Sequence, residues 1–366
     1  DIVLWTDSQL VYASTDGGGA FHQVVSRQRG HGRWVTRGID NAVPAAVAPS
    51  AARPGLVYVG YLDLGLWRST DGGDSWRALR PRGVTSDWGG GRLGGNSLTV
   101  LADPVRRDTV WSSFGGDLGE AGGTRLLRST DAGTHWTRSS GLPSGVRQIS
   151  GLSLSPRSPA GRRTLHVVAD HDVYRSTDDG RTWRRAFATC RGCEQTWTAR
   201  GHVYAGGWGG LWRAAKRDTW ARVRLPGVSW ASSANGRCRF HESCYRGVAD
   251  VAAAGGAVWT AVTGRGFLKS TDGGVTWTLA KRDDYARSVS GSGGSVITGS
   301  SSAFDSGGWD AAHPSRGVQV STTGGLGGWT SLNGGLGYPF AVQVRVDRAD
   351  GSWWALSPGQ GVVRLR

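Results

Sequence analysis

The stretch Ser69-Thr70-Asp71-Gly72-Gly73-Asp74-Ser75-Trp76 decides the fold, because copies of it recur along the whole chain. The other copies are residues 14–21, 129–136, 176–183 and 270–277 and, in weaker form, residues 214–220 and 321–329. We call each copy a box. A repeat of this kind predicts an array of one supersecondary unit, in which neighbouring units bury a shared core.

The residue types of the box, S-x-D-x-G-x-x-W, predict a tight hairpin turn. The Asp and Ser side chains are expected to bond backbone amides of the turn, and Gly supplies positive φ. The Trp side chain is expected to pack under the sheet. Because these roles are structural, no catalytic role is assigned to the box carboxylates Asp71, Asp131, Asp178 and Asp272.

Each box follows two predicted strands that are separated by a short turn. Residues 57–61 and 66–69 are one such pair, and residues 45–48 form the strand before them. The boxes resemble the Asp-box, or bacterial neuraminidase repeat, which implies an all-β fold, a single β-propeller of four-stranded antiparallel blades. With the strands of a blade named A to D from the axis outward, the pair is B and C, and the box is the C–D turn.

The spacing of the boxes predicts the number of blades. Box starts lie about 51 residues apart on average, and about 59 residues separate the last start from the first around the ring. The distance from the last box to the first fits one such interval and not two, so the seven boxes predict seven blades in one domain of residues 1–366. Eight is the alternative, because both chain ends carry a B–C hairpin. We expect seven, with the N- and C-terminal strands meeting to close the ring.

The composition indicates a sheet-rich, secreted protein. Of 366 residues 60 are glycine and 38% are hydrophobic, which favours sheet and turn over helix. No run reaches the roughly 18 apolar residues of a membrane-spanning helix, and no apolar leader precedes Asp1. We therefore expect a soluble, processed monomer that binds neither a membrane nor a cofactor.

The net charge of +15 comes almost entirely from arginine, since Lys216, Lys269 and Lys281 are the only lysines. A genome rich in G and C accounts for much of that bias. The functional interpretation is an anionic partner, since summed positive charge attracts polyanions over a Debye length. An acidic polysaccharide or cell-wall polymer fits best, and a nucleic acid is not expected.

Four cysteines form two close pairs, Cys190 with Cys193 and Cys238 with Cys244. An even count in predicted loops favours two disulfides in an oxidising compartment. The alternative is a zinc site built from all four, with His241 as a further ligand. We predict the disulfides and no metal.

In a propeller the B–C turns and D–A connections share one face, where elaborated loops usually carry function. Acidic residues on the B–C turns suggest paired general acid and base, although aspartate also favours turns for backbone reasons alone. The catalytic candidates are Asp63, Asp7, Asp170, His171 and Asp172. The substrate-binding candidates from the same face are Trp88, Arg92, Asn96, Asp117, Trp208, Trp230, Arg265, Asp305 and Trp309.

Two further stretches resemble the xyloglucanase-like glycoside hydrolases. They are Trp88-Gly89-Gly90-Gly91-Arg92-Leu93-Gly94-Gly95-Asn96, with Leu101-Ala102-Asp103-Pro104 after it, and the turn Asp63-Leu64-Gly65-Leu66-Trp67-Arg68. The resemblance implies a catalytic role for Asp63, with Asp7 as second candidate. Those enzymes pair two facing propellers and this chain has one, so both carboxylates are expected on its own B–C turns.

The sequence thus predicts a polysaccharide-engaging propeller that cleaves its glycan as a glycoside hydrolase. One alternative is a non-catalytic scaffold for a protein or anionic polymer, as in the similar photosystem assembly factors, which bind proteins through an arginine patch. A second alternative is a polysaccharide lyase acting on an acidic glycan. Sialidase activity is not expected, because the Arg-Ile-Pro motif that sialidases carry is absent.

Overall fold

The computed structural model describes most of the chain. The residues described are 2–6, 11–36, 43–82, 84, 95–115, 123–155, 157–188, 190, 192–215, 219–228, 230, 247–302 and 315–365. Within these residues no helix is long and apolar enough to cross a membrane. Apart from a 3-10 turn at Asn333–Gly335, all regular elements there are strands.

Six consecutive sheets each contain four antiparallel strands that neighbour one another in chain order. Their bounds are β6 (Pro44–Pro49), β7 (Val57–Tyr61), β8 (Gly65–Ser69) and β9 (Arg77–Leu79); β10 (Val100–Ala102), β11 (Val110–Phe114), β12 (Arg125–Ser129) and β13 (Thr137–Arg138); β14 (Ile149–Leu154), β15 (Leu165–Ala169), β16 (Asp172–Ser176) and β17 (Arg184–Phe187); β18 (Cys193–Ala199), β19 (His202–Gly207), β20 (Gly210–Ala214) and β21 (Trp220–Arg222); β22 (Val248–Ala254), β23 (Ala257–Val262), β24 (Gly266–Ser270) and β25 (Thr278–Lys281); and β26 (Ala286–Ser292), β27 (Ser295–Ser300), β28 (Val318–Ser321) and β29 (Thr330–Ser331).

The two ends of the chain form smaller sheets. At the C-terminus β30 (Gln343–Val346), β31 (Trp353–Ser357) and β32 (Gly361–Leu365) make a three-stranded sheet. At the N-terminus β1 (Val3–Thr6), β2 (Val11–Ser14) and β3 (His22–Gln23) make another, followed by the two-stranded sheet of β4 (Ser26–Gln28) and β5 (Trp34–Thr36).

The six four-stranded sheets and the C-terminal sheet, numbered ring sheets 1 to 7, contact one another in chain order. Strand β30 of the last also contacts β6 of the first, which closes the ring. The predicted meeting of the N- and C-terminal strands is wrong for the described residues, because β1–β3 pair only with each other. The all-β propeller class is confirmed, and the blade number stays a prediction because the N-terminal sheet pairs with no ring sheet.

Among the described residues, the hydrophobic core is divided into seven clusters, each lying between two consecutive ring sheets. The cluster that closes the ring packs Trp354 and Leu356 of sheet 7 against Val57, Val59 and Trp76 of sheet 1. The strand tryptophans Trp111, Trp259 and Trp354 are among the largest buried side chains of these clusters. A sheet with apolar side chains on both faces can bury both faces only if it packs between two neighbouring sheets. This requirement favours a closed ring.

The loops of the ring sheets separate into two faces, as expected for a propeller. On the box face, Gly72 of a box donates its N–H to Gly55 O in the A–B loop, at 3.0 Å. On the opposite face, the Asp63 N–H of a B–C turn donates to Asn96 Oδ1 in a D–A connection, at 2.8 Å. The second face, made of B–C turns and D–A connections, carries the candidate site.

Candidate functional site

A cavity of about 450 Å³ opens on the B–C/D–A face between ring sheets 3 and 4. Its lining comes from three chain segments: Arg147, Gln148 and Ser150 at the start of β14, Val168, Asp170 and His171 around the β15–β16 turn, and Cys193 and Glu194 at the start of β18. We call this space the sheet 3–4 cavity. It brings two carboxylates, a guanidinium and an imidazole to one opening.

Asp170 joins the B–C turn to the segment that enters β14. Its φ of 45° lies in the left-handed region, where aspartate is better tolerated than most residues. Its carboxylate accepts the backbone N–H groups of Arg147, at 3.1 and 3.2 Å, and of Gln148, at 2.9 Å. Both oxygens of Asp170 therefore accept hydrogen bonds beside the cavity.

His171 is oriented by the neighbouring sheet. Its Nδ1 lies 3.0 Å from the carbonyl oxygen of Cys193. Since a carbonyl can only accept, Nδ1 carries the proton in this contact, and in the neutral ring Nε2 is left as an acceptor. The imidazole is exposed at the edge of the cavity, where it can meet a ligand.

Asp172 does not share the cavity with Asp170 and His171. It begins strand β16, and its carboxylate forms an ion pair with Arg185 of β17, with Oδ2 3.3 Å from Nη1. The run Asp170-His171-Asp172 is therefore divided: Asp170 and His171 line the cavity, and Asp172 is paired with Arg185.

Glu194 and Arg147 line the cavity and were missed by sequence reasoning. The pairing of β18 with β19 shifts register between Cys193 and Gln195, and Glu194 is the residue inside that irregularity. Bulges of this kind re-aim a side chain at a strand end. The sequence feature that could have identified Glu194 is its position directly after Cys193, at the start of an innermost strand.

A disulfide joins Cys190 to Cys193 at the edge of the cavity, which confirms that pairing. It also excludes these two sulfurs as thiolate ligands of the alternative zinc site. Cys238 and Cys244 lie outside the described residues, so their pairing stays a prediction. Among the residues that are described, no three His, Cys, Asp or Glu side chains lie close enough to hold one metal ion.

Four other candidates of the same face make contacts within the fold. Asn96 is buried, and its side-chain oxygen accepts the Asp63 N–H. Trp208 lies against Gly192 of the disulfide loop, where an added Cβ would overlap the indole ring. Trp230 packs on the core between sheets 4 and 5, and Arg265 donates through Nε to Pro226 O at 3.3 Å.

The ligand-binding roles of these four residues, and the catalytic role of Asp63, stay predictions. The half-buried Asp63 lies in the β7–β8 turn with a φ of 64°. The remaining candidates are outside the described residues: Asp7, Trp88, Arg92, Asp117, Asp305 and Trp309.

The chain resembles one curated glycosidase in sequence. No protein-family model matches it. Over 218 residues it is 27% identical to a xyloglucanase from Paenibacillus sp., in a match that covers 49% of this chain and 20% of that protein. The match thus spans about a fifth of the length of this relative.

Solved structures with the same fold include two of YCF48. YCF48 bound to D1 peptide has a TM-score of 0.58 and 14% identity, over 89% of this chain and 93% of that chain. YCF48 from Cyanidioschyzon merolae has a TM-score of 0.55 and 13% identity, over 89% of this chain and 96% of that chain. At such low identity the likeness shows the propeller fold alone.

Proposed function

We propose that this protein is an extracellular propeller that binds a polysaccharide on its B–C/D–A face and hydrolyses it in the sheet 3–4 cavity. The observation that carries the proposal is the presence of two carboxylates, Asp170 and Glu194, in the lining of one open cavity. Glycoside hydrolysis generally needs such a pair, one as acid and one as base or nucleophile. The sequence similarity to a xyloglucanase supports xyloglucan as the first substrate to test.

The contacts of the two carboxylates suggest different roles. Both oxygens of Asp170 accept N–H groups, which suits the group that must act as a carboxylate and activate water. Glu194 is half-buried at the other side of the opening and would protonate the leaving oxygen. Arg147 and His171 would then orient sugar hydroxyl groups by donating and accepting hydrogen bonds.

The proposal is tested by reducing-sugar release from xyloglucan and from a panel of neutral and acidic polysaccharides. On the substrate found, Glu194→Gln and Asp170→Asn are each expected to lower turnover about 10²–10⁴-fold. Asp172→Asn is the matched control, since Asp172 lies two positions after Asp170 but pairs with Arg185 and does not line the cavity. Melting temperatures of all three variants should stay close to that of the wild type.

The Asp63→Asn variant distinguishes between the β7–β8 turn and the β15–β16 turn as the place of the catalytic carboxylate. If Asp63 is the catalytic carboxylate that the resemblance to xyloglucanase-like enzymes implies, this variant loses activity and Glu194→Gln keeps it. Wild-type turnover in both Glu194→Gln and Asp170→Asn would exclude the sheet 3–4 cavity as the reaction site.

Binding without cleavage is the second candidate function. It is favoured by the engagement of Asp170 with backbone amides and of Asp172 with Arg185, both of which are structural uses of a carboxylate. Retention on immobilised polysaccharide, combined with no product release from any glycan in the panel, would identify the protein as a scaffold.

A further inference from the structure

A second cavity, of about 320 Å³, lies on the box face among the A–B loops of ring sheets 4 to 7. Its lining consists of Arg200, residues 253–257, residues 291–293 and Arg348. The A strands are innermost in each sheet, so this cavity lies near the axis, on the opposite face from the sheet 3–4 cavity. We call it the box-face cavity.

The floor of the box-face cavity consists of two turns that carry only glycine, alanine and serine residues. Strand registers leave only two residues in the turns between β22 and β23, where Ala254 pairs with Ala257, and between β26 and β27, where Ser292 pairs with Ser295. The turn residues Gly256 and Gly293 have φ values of 75° and 56°. A Cβ added to either would meet no atom within 4 Å, so a ligand has room to approach the main chain.

Two arginines border this floor. Arg200 donates through Nη1 to the carbonyl oxygen of Gly256, which holds its guanidinium beside the second turn of the cavity. Arg348 is exposed in the loop between β30 and β31. Within the described part of the chain, neither arginine forms an ion pair.

The carboxylates nearest to Arg348 in the sequence are already engaged. Asp350 pairs with Arg364, with Oδ2 2.5 Å from Nη2. Asp347 is buried and accepts the Ala349 N–H at 2.8 Å. The positive charge of the two cavity arginines is therefore not neutralised by these neighbours, in a chain whose net charge is already +15.

We propose that the box-face cavity binds an oxyanion, the carboxylate, sulfate or phosphate group of an acidic saccharide or of a free inorganic ion. A guanidinium presents several N–H donors in a planar fork that matches such groups, and two of them around exposed main chain add charge and geometry together. The glycine turns allow the anion to approach closely, because no side chain stands above them.

The binding test is calorimetric titration with inorganic phosphate at constant ionic strength. Arg348→Ala and Arg200→Asn are each expected to weaken the affinity at least about tenfold, because each removes a charged hydrogen-bond donor. Asparagine is chosen at position 200 because the φ of 42° there disfavours most side chains. Arg138→Ala, which removes an exposed arginine from the outermost strand β13, is the charge-matched control and should bind like the wild type.

A third variant tests the open floor without changing charge. Gly293→Asn keeps a residue type that tolerates positive φ and places a side chain in the empty space, so it should block phosphate while the protein remains folded. Trigalacturonate is titrated in parallel. Competition with phosphate would identify an acidic saccharide as the ligand, and phosphate binding alone would identify a free oxyanion.

The inference is overturned if phosphate and trigalacturonate both fail to bind saturably. It is equally overturned if Arg138→Ala weakens binding as much as Arg348→Ala does, since that result would indicate attraction to the net charge and not to this cavity. Near-UV circular dichroism and melting temperature establish that each variant is folded.

Discussion

At the scale of single residues, the box is a set of side-chain hydrogen bonds within eight positions. In the box of ring sheet 1, Ser69 Oγ donates to Asp71 Oδ1 at 2.8 Å and accepts the Gly73 N–H at 2.8 Å. Asp71 also accepts the N–H and the hydroxyl of Ser75, at 2.9 and 2.5 Å. Burial alone would raise the pKa of Asp71, but the bonds from Ser75 and Ser69 hold that pKa below its usual value.

The first prediction is that Asp71→Ala lowers the free energy of unfolding by about 1–2 kcal/mol without selective loss of ligand binding or turnover. The stabilisation by Asp71 should be fully present above the usual carboxyl pKa and be lost as the pH falls through its lowered value in the folded state. Urea denaturation at neutral and acidic pH measures both effects.

Asp74→Ala is the control for this change, because Asp74 is an exposed residue of the same box. It should leave the free energy of unfolding nearly unchanged. An Asp71→Ala protein with wild-type stability but no ligand binding would show that the box face carries the primary site.

At the scale of elements, consecutive sheets are joined by contacts that repeat around the ring. In four sheets the penultimate residue of the C strand donates to a carbonyl oxygen in the next box: Arg68 to Ala132, Arg213 to Gly273, Lys269 to Gly324 and Arg364 to Gly72. Part of the high arginine content therefore serves to join sheets. This structural use reduces the share of the +15 charge that needs an anionic partner as its explanation.

A second contact of this kind sets a glycine of four boxes against an aromatic side chain of the preceding sheet, whereas Gly133 of the box after β12 faces Leu79. An added Cβ would reach the Trp354 ring from Gly73, the Trp111 ring from Gly180, the Tyr204 hydroxyl from Gly274 and the Trp259 ring from Gly325. These glycines also have positive φ. Two independent requirements, backbone conformation and space, thus apply at one position.

Two glycines of the last box allow the effect of backbone conformation to be measured separately from the effect of space. Gly325 has a φ of 76° and faces Trp259, whereas Gly328 has a φ of 62° with nothing within 4 Å of an added Cβ. Gly328→Ala is expected to cost about 1–2 kcal/mol of stability, the penalty of a left-handed alanine. Gly325→Ala should cost about 1–3 kcal/mol more, because the new methyl group overlaps the indole.

Chemical denaturation of the two variants measures the difference. Equal losses of stability would mean that Trp259 moves aside at no cost, and the packing of boxes against aromatic residues would then contribute nothing to the joining of sheets.

At the scale of the whole molecule, the ring contains a buried cation between sheets 5 and 6. Lys281 is 8% exposed, donates to Thr298 Oγ1 at 2.7 Å, and lies 4.9 and 4.5 Å from the ring centres of Phe267 and Trp329. Burial lowers the pKa of Lys281 to about 8. Burial also raises the pKa of the adjacent Asp283 above its usual value.

The third prediction is that stability increases by about 2 kcal/mol between pH 8 and pH 10, because the unfolded chain binds more protons than the folded protein over this range. Lys281→Met should abolish most of this increase, because it removes the group that titrates. The measurement is urea denaturation across the pH series.

The series ends at pH 10, since burial raises the pKa of Tyr58 and raises that of Tyr204 to about 12, and ionisation of these tyrosines in the unfolded chain increasingly opposes the trend as the pH approaches and passes 10. Arg138→Ala is the surface control. If the free energy of unfolding of the wild type did not change from pH 8 to pH 10, the lowered pKa of Lys281 in the folded protein would be contradicted.

The sequence by itself determined the propeller class and the structural role of the box. Both depend on contacts that are local or repeated: the Ser69, Asp71 and Ser75 bonds span no more than four positions, and each sheet repeats the same short strands and turns. The disulfide between Cys190 and Cys193 was predictable for the same reason, since three positions separate the two residues.

Only the tertiary structure decided which polar groups meet. Asp170 and His171 were predicted together with Asp172, but strand geometry sends Asp172 to Arg185, and the packing of sheet 4 on sheet 3 brings Glu194 into the cavity instead. The residues of one cavity come from turns that lie more than 20 positions apart. Their distances depend on how whole sheets pack and where β18 changes register, which no local pattern encodes.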